Sequence, residues 1–142
     1  MNKRQFFVFI SALALATSAL AQSPTIASKA THLVIQVSDN DPAKWNLALS
    51  NAKNVQEDLG AQNVEIEIVA YGPGIGMLKL DSVANSRVIE SAKVGIKFLA
   101  CENTMHAQKL TKDDMNPESG FVKAGVVEIM KKQAAGWAYL RP

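Results

Sequence analysis

The sequence predicts an α/β fold, a three-layer sandwich around a mainly parallel sheet of about five strands, on three observations. Apolar runs of strand length alternate with amphipathic stretches of helix length from residue 32 to the C-terminus. The first run, HLVIQVS from His32 to Ser38, is nearly continuous in its apolar character, which fits a strand covered on both faces. Right-handed crossovers between parallel strands then place helices on both sides of the sheet.

The elements follow in order. After the first strand, Asn40-Asp41-Pro42 supplies a capping side chain and a proline that a first helical turn tolerates. Trp45, Ala48, Leu49, Ala52, Val55 and Leu59 recur at helical spacing up to Gly60, which predicts an amphipathic helix over 42–59. In VEIEIVAYGPGIG the first residues alternate, with Glu65 and Glu67 facing away from Val64, Ile66 and Ile68. The run then turns apolar into Tyr71 and a loop of three glycines and a proline. A weaker helix is expected between Ser82 and Lys93, with Ala84, Val88 and Ala92 on one stripe. VGIKFLAC, Val94 to Cys101, is the third strand, and Asn103 to Leu110 a short helix. Thr111-Lys112-Asp113-Asp114 carries a capping signal for one helical turn. Phe121-Val122 is a brief fourth strand. Gly125 to Ala135 is a helix with Val126, Ile129 and Met130 inward, Gly136 is its stop, and Trp137 to Leu140 is the last strand. Trp137 and Tyr139 are expected in a core or an interface, and Glu128 in solvent or at a subunit contact.

The N-terminus carries a different signal. MNKRQFFVFISALALATSALA joins Lys3 and Arg4 to an apolar stretch from Phe6 to Ala16 and to Ala19-Leu20-Ala21 before Gln22, the pattern of a secretory signal peptide over residues 1–21. That stretch is shorter than the roughly 20 residues a membrane-spanning helix needs. Lys3 stands where a twin-arginine signal has arginine, so ordinary secretion is expected. Residues 22–31, QSPTIASKAT, read as a flexible leader and 32–142 as a single domain. The expected location is periplasmic or extracellular, with no membrane attachment after cleavage.

Charge and cysteine content narrow the function classes. The chain has 15 basic and 13 acidic residues. Two of the basic ones lie in the first 21 residues, so the mature chain carries 13 of each sign and no net charge. With no basic block and few aromatic residues, a nucleic-acid partner is not expected. The two histidines, His32 and His106, offer no Ser-His-Asp arrangement, so a hydrolase is not expected either. A single cysteine, Cys101, cannot form an internal disulfide, and an unpaired thiol in an oxidising compartment is a liability unless it is buried or useful.

In parallel sheets, ligands gather at the carboxyl ends of the strands. Both unusual segments, Tyr71-Gly72-Pro73-Gly74-Ile75-Gly76 and Cys101-Glu102-Asn103-Thr104, belong on that edge. Cys101 is expected just before a helix whose first amides lack internal partners and favour an anion. A thiol there ionises more readily, and a persulfide, also anionic, would be held by the same amides. Glu102 works in the opposite sense, so the direction of the net shift stays open. Two readings of Cys101 stand: a small hydrophobe at a strand end or a nucleophile. Asn103 and Thr104 can cap the helix, orient an anion, or do both. The glycine loop matches neither nucleotide-binding fingerprint. It is a tight turn or a place where a ligand approaches backbone, with Tyr71 as a wall. His106, Met105 and Met115 raise the idea of a soft-metal site, but His106 lies five residues from Cys101 where three or four would suit shared ligation. No metal or other cofactor is therefore expected.

Gly72-Pro73-Gly74, Cys101-x-Asn103-Thr104, Ala124-Gly125-Val126-Val127-Glu128 and Gly136-Trp137-x-Tyr139 together resemble the DsrE/DsrF-like family, which includes sulfur-relay proteins. The resemblance runs from about His32 to Pro142. It implies a five-stranded parallel sandwich and homo-oligomers such as trimers or hexamers. It also implies a cysteine, here Cys101, that accepts sulfur as a persulfide from a donor protein or small sulfur compound and passes it on. Amides near Asn103 and Thr104 would steady the persulfide, and the Gly72–Gly76 loop would shape access. The alternative is a non-catalytic binding or assembly module of the same fold with a structural cysteine.

Overall fold

The computed structural model describes residues 31–142. The expected signal peptide and nearly all of the expected leader lie outside these residues. Thr31, assigned to the leader from the sequence, instead opens the first strand.

The strands are β1 (Thr31–Val37), β2 (Val64–Ala70), β3 (Lys97–Cys101), β4 (Ser119–Val122) and β5 (Ala138–Leu140). The helices are α1 (Pro42–Leu59), α2 (Asn85–Lys93), α3 (Glu102–Ala107) and α4 (Gly125–Ala134), with 3-10 turns at Ala61–Asn63, Gly72–Leu78 and Lys112–Asp114. The sheet runs in the order β4-β3-β2-β1-β5 and every pairing is parallel. Each strand but the last is thus added outward on one side of β1, and the chain returns across the sheet to place β5 on the other side. α4 makes that return and covers the face opposite α1 and α2. One core cluster holds Trp45, Leu49 and Val88 against Ile35, Ile66, Ile68 and Phe98. A smaller one holds Ile129 against Val34 and Val69.

Local chemistry sets the boundaries of α1. Asp41 accepts a hydrogen bond from the Ala43 amide at 2.8 Å, Pro42 occupies the first turn, and the Gly60 amide donates to the Gln56 carbonyl at 2.9 Å. Such a cap is worth about 1 kcal/mol. Burying one large side chain such as Leu49 contributes roughly 1.5–3 kcal/mol, so packing of the Trp45, Ala48, Leu49 and Ala52 stripe holds α1 in place and the cap fixes where it starts. The Thr111 and Asp114 capping box forms as the sequence indicates.

Several elements differ from expectation. α2 begins at Asn85 and β3 at Lys97, because Val94 is exposed and Gly95 takes a positive φ of 92° between them. α3 spans Glu102–Ala107. Glu67 points away from Val64, Ile66 and Ile68 as read, but into a second covered face: it is 3% exposed, under α4, with Oε2 2.9 Å from Lys132 Nζ. A strand whose second face lies beneath a helix does not report burial by alternation. In α4, Ile129 and Gly125 are the buried residues, while Val126 and Met130 are exposed together with Val127. The helix is rotated from the predicted phase because Gly125, rather than its apolar neighbour, meets the sheet.

Candidate functional site at the carboxyl end of the third strand

Cys101 ends β3 and immediately precedes α3. Its neighbour on the sheet is β4, pairing Cys101 with Val122, so the residues after Val122 pass beside the sulfur. The Cys101 thiol faces the Lys123 carbonyl, 3.9 Å away, and the Asn103 amide donates to the same oxygen at 3.0 Å. Two residues on, α4 starts at Gly125 with Ala124 at its cap position and no side-chain cap. Two helices therefore begin beside one sulfur atom.

The glycine loop joins the cluster through Thr104. Gly72 sits in the left-handed region, with φ of 54°, and its amide donates to Thr104 Oγ1 at 2.9 Å. A hydroxyl that accepts from an amide keeps its single proton for another acceptor. Ionised Cys101 is such an acceptor, and the Thr104 hydroxyl lowers its pKa. Gln108 Nε2 donates to the Gly72 carbonyl at 3.3 Å, so both polar groups of this residue are tied to the chain around α3.

Burial pushes the Cys101 thiol up, but hydrogen bonds from the Thr104 hydroxyl and from the amides of Gly125, Thr104 and Asn103 more than offset it, and the thiol's pKa lies below the ordinary 9.0. Asn103 contributes least, since its amide is already committed to Lys123. The direction left open by the sequence is thus settled by donors, chiefly Thr104 and Gly125, and only the first of these was legible as a site residue.

Gly125 sits in a crowded place where a side chain would press on its neighbours. A Cβ at this position would lie 3.0 Å from Tyr71 Cβ and 3.2 Å from Val69 Cγ1. Tyr71, whose own amide donates to the Val37 carbonyl at 3.1 Å, therefore forms a wall against the first turn of α4. Burial raises the pKa of its hydroxyl, with Tyr139 adding to the effect, so the wall stays neutral. Gly74 is fully buried against the end of β1. A Cβ there would meet Ser38 Cα at 2.8 Å and the Val37 carbonyl closer still. Gly74 serves packing rather than ligand approach.

The structure thus brings Cys101, Asn103, Thr104, Tyr71 and Gly72 together. Pro73 is exposed on the other side of the loop, in a cavity of about 600 Å³ with Asn40, Gly76, Lys79 and Gln108. Cys101 itself is 5% exposed. A cavity of about 330 Å³ beside it is walled by its neighbours Asn103, Lys123 and Ala124 with Val127, Glu128 and Lys131. Gly125, Lys123 and Gln108 are the residues the sequence reading missed. A helix start with alanine where a polar cap is usual, placed just after a strand, was the available signal for Gly125. Met105 and Met115 are core residues, His106 lies on the exposed side of α3, and among the described residues no three His, Cys, Asp or Glu side chains gather. No helix among these residues is long and apolar enough to cross a membrane.

Fold and site define a class: a small α/β domain with one thiol held at the junction of two helix starts on the carboxyl edge of a parallel sheet. Solved structures with this fold match the chain. It superposes on MTH1491 from Methanobacterium thermoautotrophicum, a protein of unknown function, with a TM-score of 0.75 at 36% identity, over 79% of this chain and 99% of that one. The chain belongs to the same family as that protein. BT1422 from Bacteroides thetaiotaomicron, also of unknown function, matches with a TM-score of 0.64 at 14% identity, over 82% and 98% of the two chains. YchN from E. coli matches with a TM-score of 0.60 at 7% identity, over 79% and 98%. These last two share the fold. No family model and no curated protein matches the chain.

Proposed function

We propose that this protein is an exported member of the DsrE/DsrF-like group that carries sulfane sulfur as a persulfide on Cys101. The observation that carries the reading is the convergence of donors from two separate segments, Asn103-Thr104 and Gly125, on a sulfur few solvent molecules reach, which holds its pKa below the ordinary value. Structural cysteines buried among apolar groups shift the other way. In the charging step the Cys101 thiolate attacks the outer sulfur of a donor. With thiosulfate, the donor's sulfur–sulfur bond breaks, sulfite leaves with the bonding pair, and Cys101 keeps the transferred sulfur as a persulfide anion. Charge balances and no external oxidant is needed. The amides of Thr104 and Gly125, with the Thr104 hydroxyl, then hold that anion as they hold the thiolate. Exposed Val126 and Met130, four residues apart on one face of α4, favour a homo-oligomer assembled through that face.

Incubation of the purified protein with thiosulfate or polysulfide, followed by intact mass measurement, tests this. The wild type gains one sulfur atom and Cys101→Ser gains none. A wild type that gains none from any donor overturns the reading.

The 5% exposure of Cys101 favours a second reading, a non-catalytic binding or assembly module in which the cysteine is packing. Under it, a thiol reagent labels Cys101 only after unfolding. Under the carrier reading, native protein is labelled.

A further inference from the structure

The cavity beside Cys101 has a charge pattern of its own. Lys123 and Lys131 both contribute to its wall, both are exposed, and neither makes an ion pair among the described residues. The one carboxylate in the wall, Glu128, is 3.6 Å from Lys132, which lies outside the wall and is also paired with Glu67. Glu102, at the start of α3, is exposed and outside the wall. The lining therefore has two unpaired positive charges against one carboxylate that shares Lys132 with Glu67, an excess of positive charge. Ala124 and Val127 bring in the first turn of α4, a helix of ten residues with no side-chain cap, whose dipole has the same sign as the lysines. The volume, about 330 Å³, is at the lower end of ligand-binding cavities, so it suits a small ligand. The wall also includes Lys123, whose carbonyl faces the Cys101 sulfur.

Resting on the carrier reading, we infer that the donor which charges Cys101 is a small sulfur-bearing anion, docked in this cavity at the start of α4 against Lys123 and Lys131. Such a donor arrives with its negative charge drawn to the lysines and the α4 amides and its outer sulfur toward Cys101. A neutral donor gains nothing from these groups.

The test uses the double charge reversal Lys123→Glu/Lys131→Glu, two exposed positions at which substitution changes stability little. The backbone carbonyl of Lys123 is unaffected. Native Cys101 is alkylated with iodoacetate and, separately, with iodoacetamide, reagents of similar size that differ in charge, and the ratio of the two rates is taken. The ratio cancels any change in the fraction of thiolate. Persulfide formation from thiosulfate is followed in parallel. For charges roughly one Debye length, ~8 Å, from the reacting sulfur, reversing both lysines lowers the iodoacetate to iodoacetamide ratio about threefold and slows the thiosulfate reaction about tenfold at physiological salt. Both effects shrink in ~1 M salt. A ratio unmoved by the reversal overturns the inference even if thiosulfate still charges the protein. A ratio that falls while no donor charges the wild type leaves the anion site standing and removes the carrier reading.

Discussion

Thr104→Val tests the link between the glycine loop and the thiol. Valine keeps the branched shape and removes the hydroxyl, so two hydrogen bonds go at once. The Gly72 amide, half-buried, loses the acceptor that lies 2.9 Å away. Leaving such a donor unsatisfied costs about 1–3 kcal/mol, and partial access to water places the loss near 1 kcal/mol. The second loss is felt only by the ionised sulfur. Because the folded pKa of Cys101 is lowered relative to the unfolded chain, the wild type gains stability as pH rises through the folded value; the gain is complete above 9.0 and absent at low pH. Thr104→Val shrinks that alkaline gain. Urea unfolding at a series of pH values, with Cys101→Ala as the reference, isolates it from Tyr71 and other groups that titrate nearby. Thr104→Ser retains both bonds and both effects. If Thr104→Val loses stability at neutral pH yet keeps the full alkaline gain, the hydroxyl is only a strut for Gly72 and its assignment to the thiol is wrong.

Two further substitutions probe the scaffold. Gly74→Ala places a methyl group against the Val37 and Ser38 backbone, which cannot rotate away as a side chain can, so we expect a loss of about 3 kcal/mol or more in denaturant unfolding; a near-neutral result contradicts the packing at the end of β1. Lys132→Met leaves the Glu67 carboxylate buried with no cation and with Oε1 already unpartnered, at a cost of about 3 kcal/mol, much of which the double variant Glu67→Gln/Lys132→Met restores. Thermal melts of the single and double variants read this directly, and additive losses contradict the pairing.

Local signals were legible wherever a residue's neighbours in sequence decided its role. Asp41, Pro42 and Gly60 bracket α1 as read, and the Thr111 and Asp114 box closes on itself within four residues. Cys101 and Thr104 were legible for the same reason: a strand end followed by a helix start is a local pattern. The burial and pairing of Glu67 were not legible because its partner, Lys132, comes 65 positions later on a helix that the alternation rule does not know covers that face. The phase of α4 was misread because Val126 looks more apolar than Gly125, yet it is Gly125 that packs closely against Tyr71 and Val69. The missing half of the thiol's environment has the same origin. Lys123 and Gly125 reach Cys101 through the β3–β4 pairing, and no spacing near residue 101 encodes that.

The most direct test is a titration of the ultraviolet thiolate absorbance of the native protein, with Cys101→Ala subtracted to remove tyrosine. Hydrogen bonding that outweighs burial predicts a midpoint below 9.0 that moves up on unfolding in urea. A native midpoint at or above that of the unfolded chain would mean that burial prevails, and that the sulfur is a packing atom with no chemistry to perform.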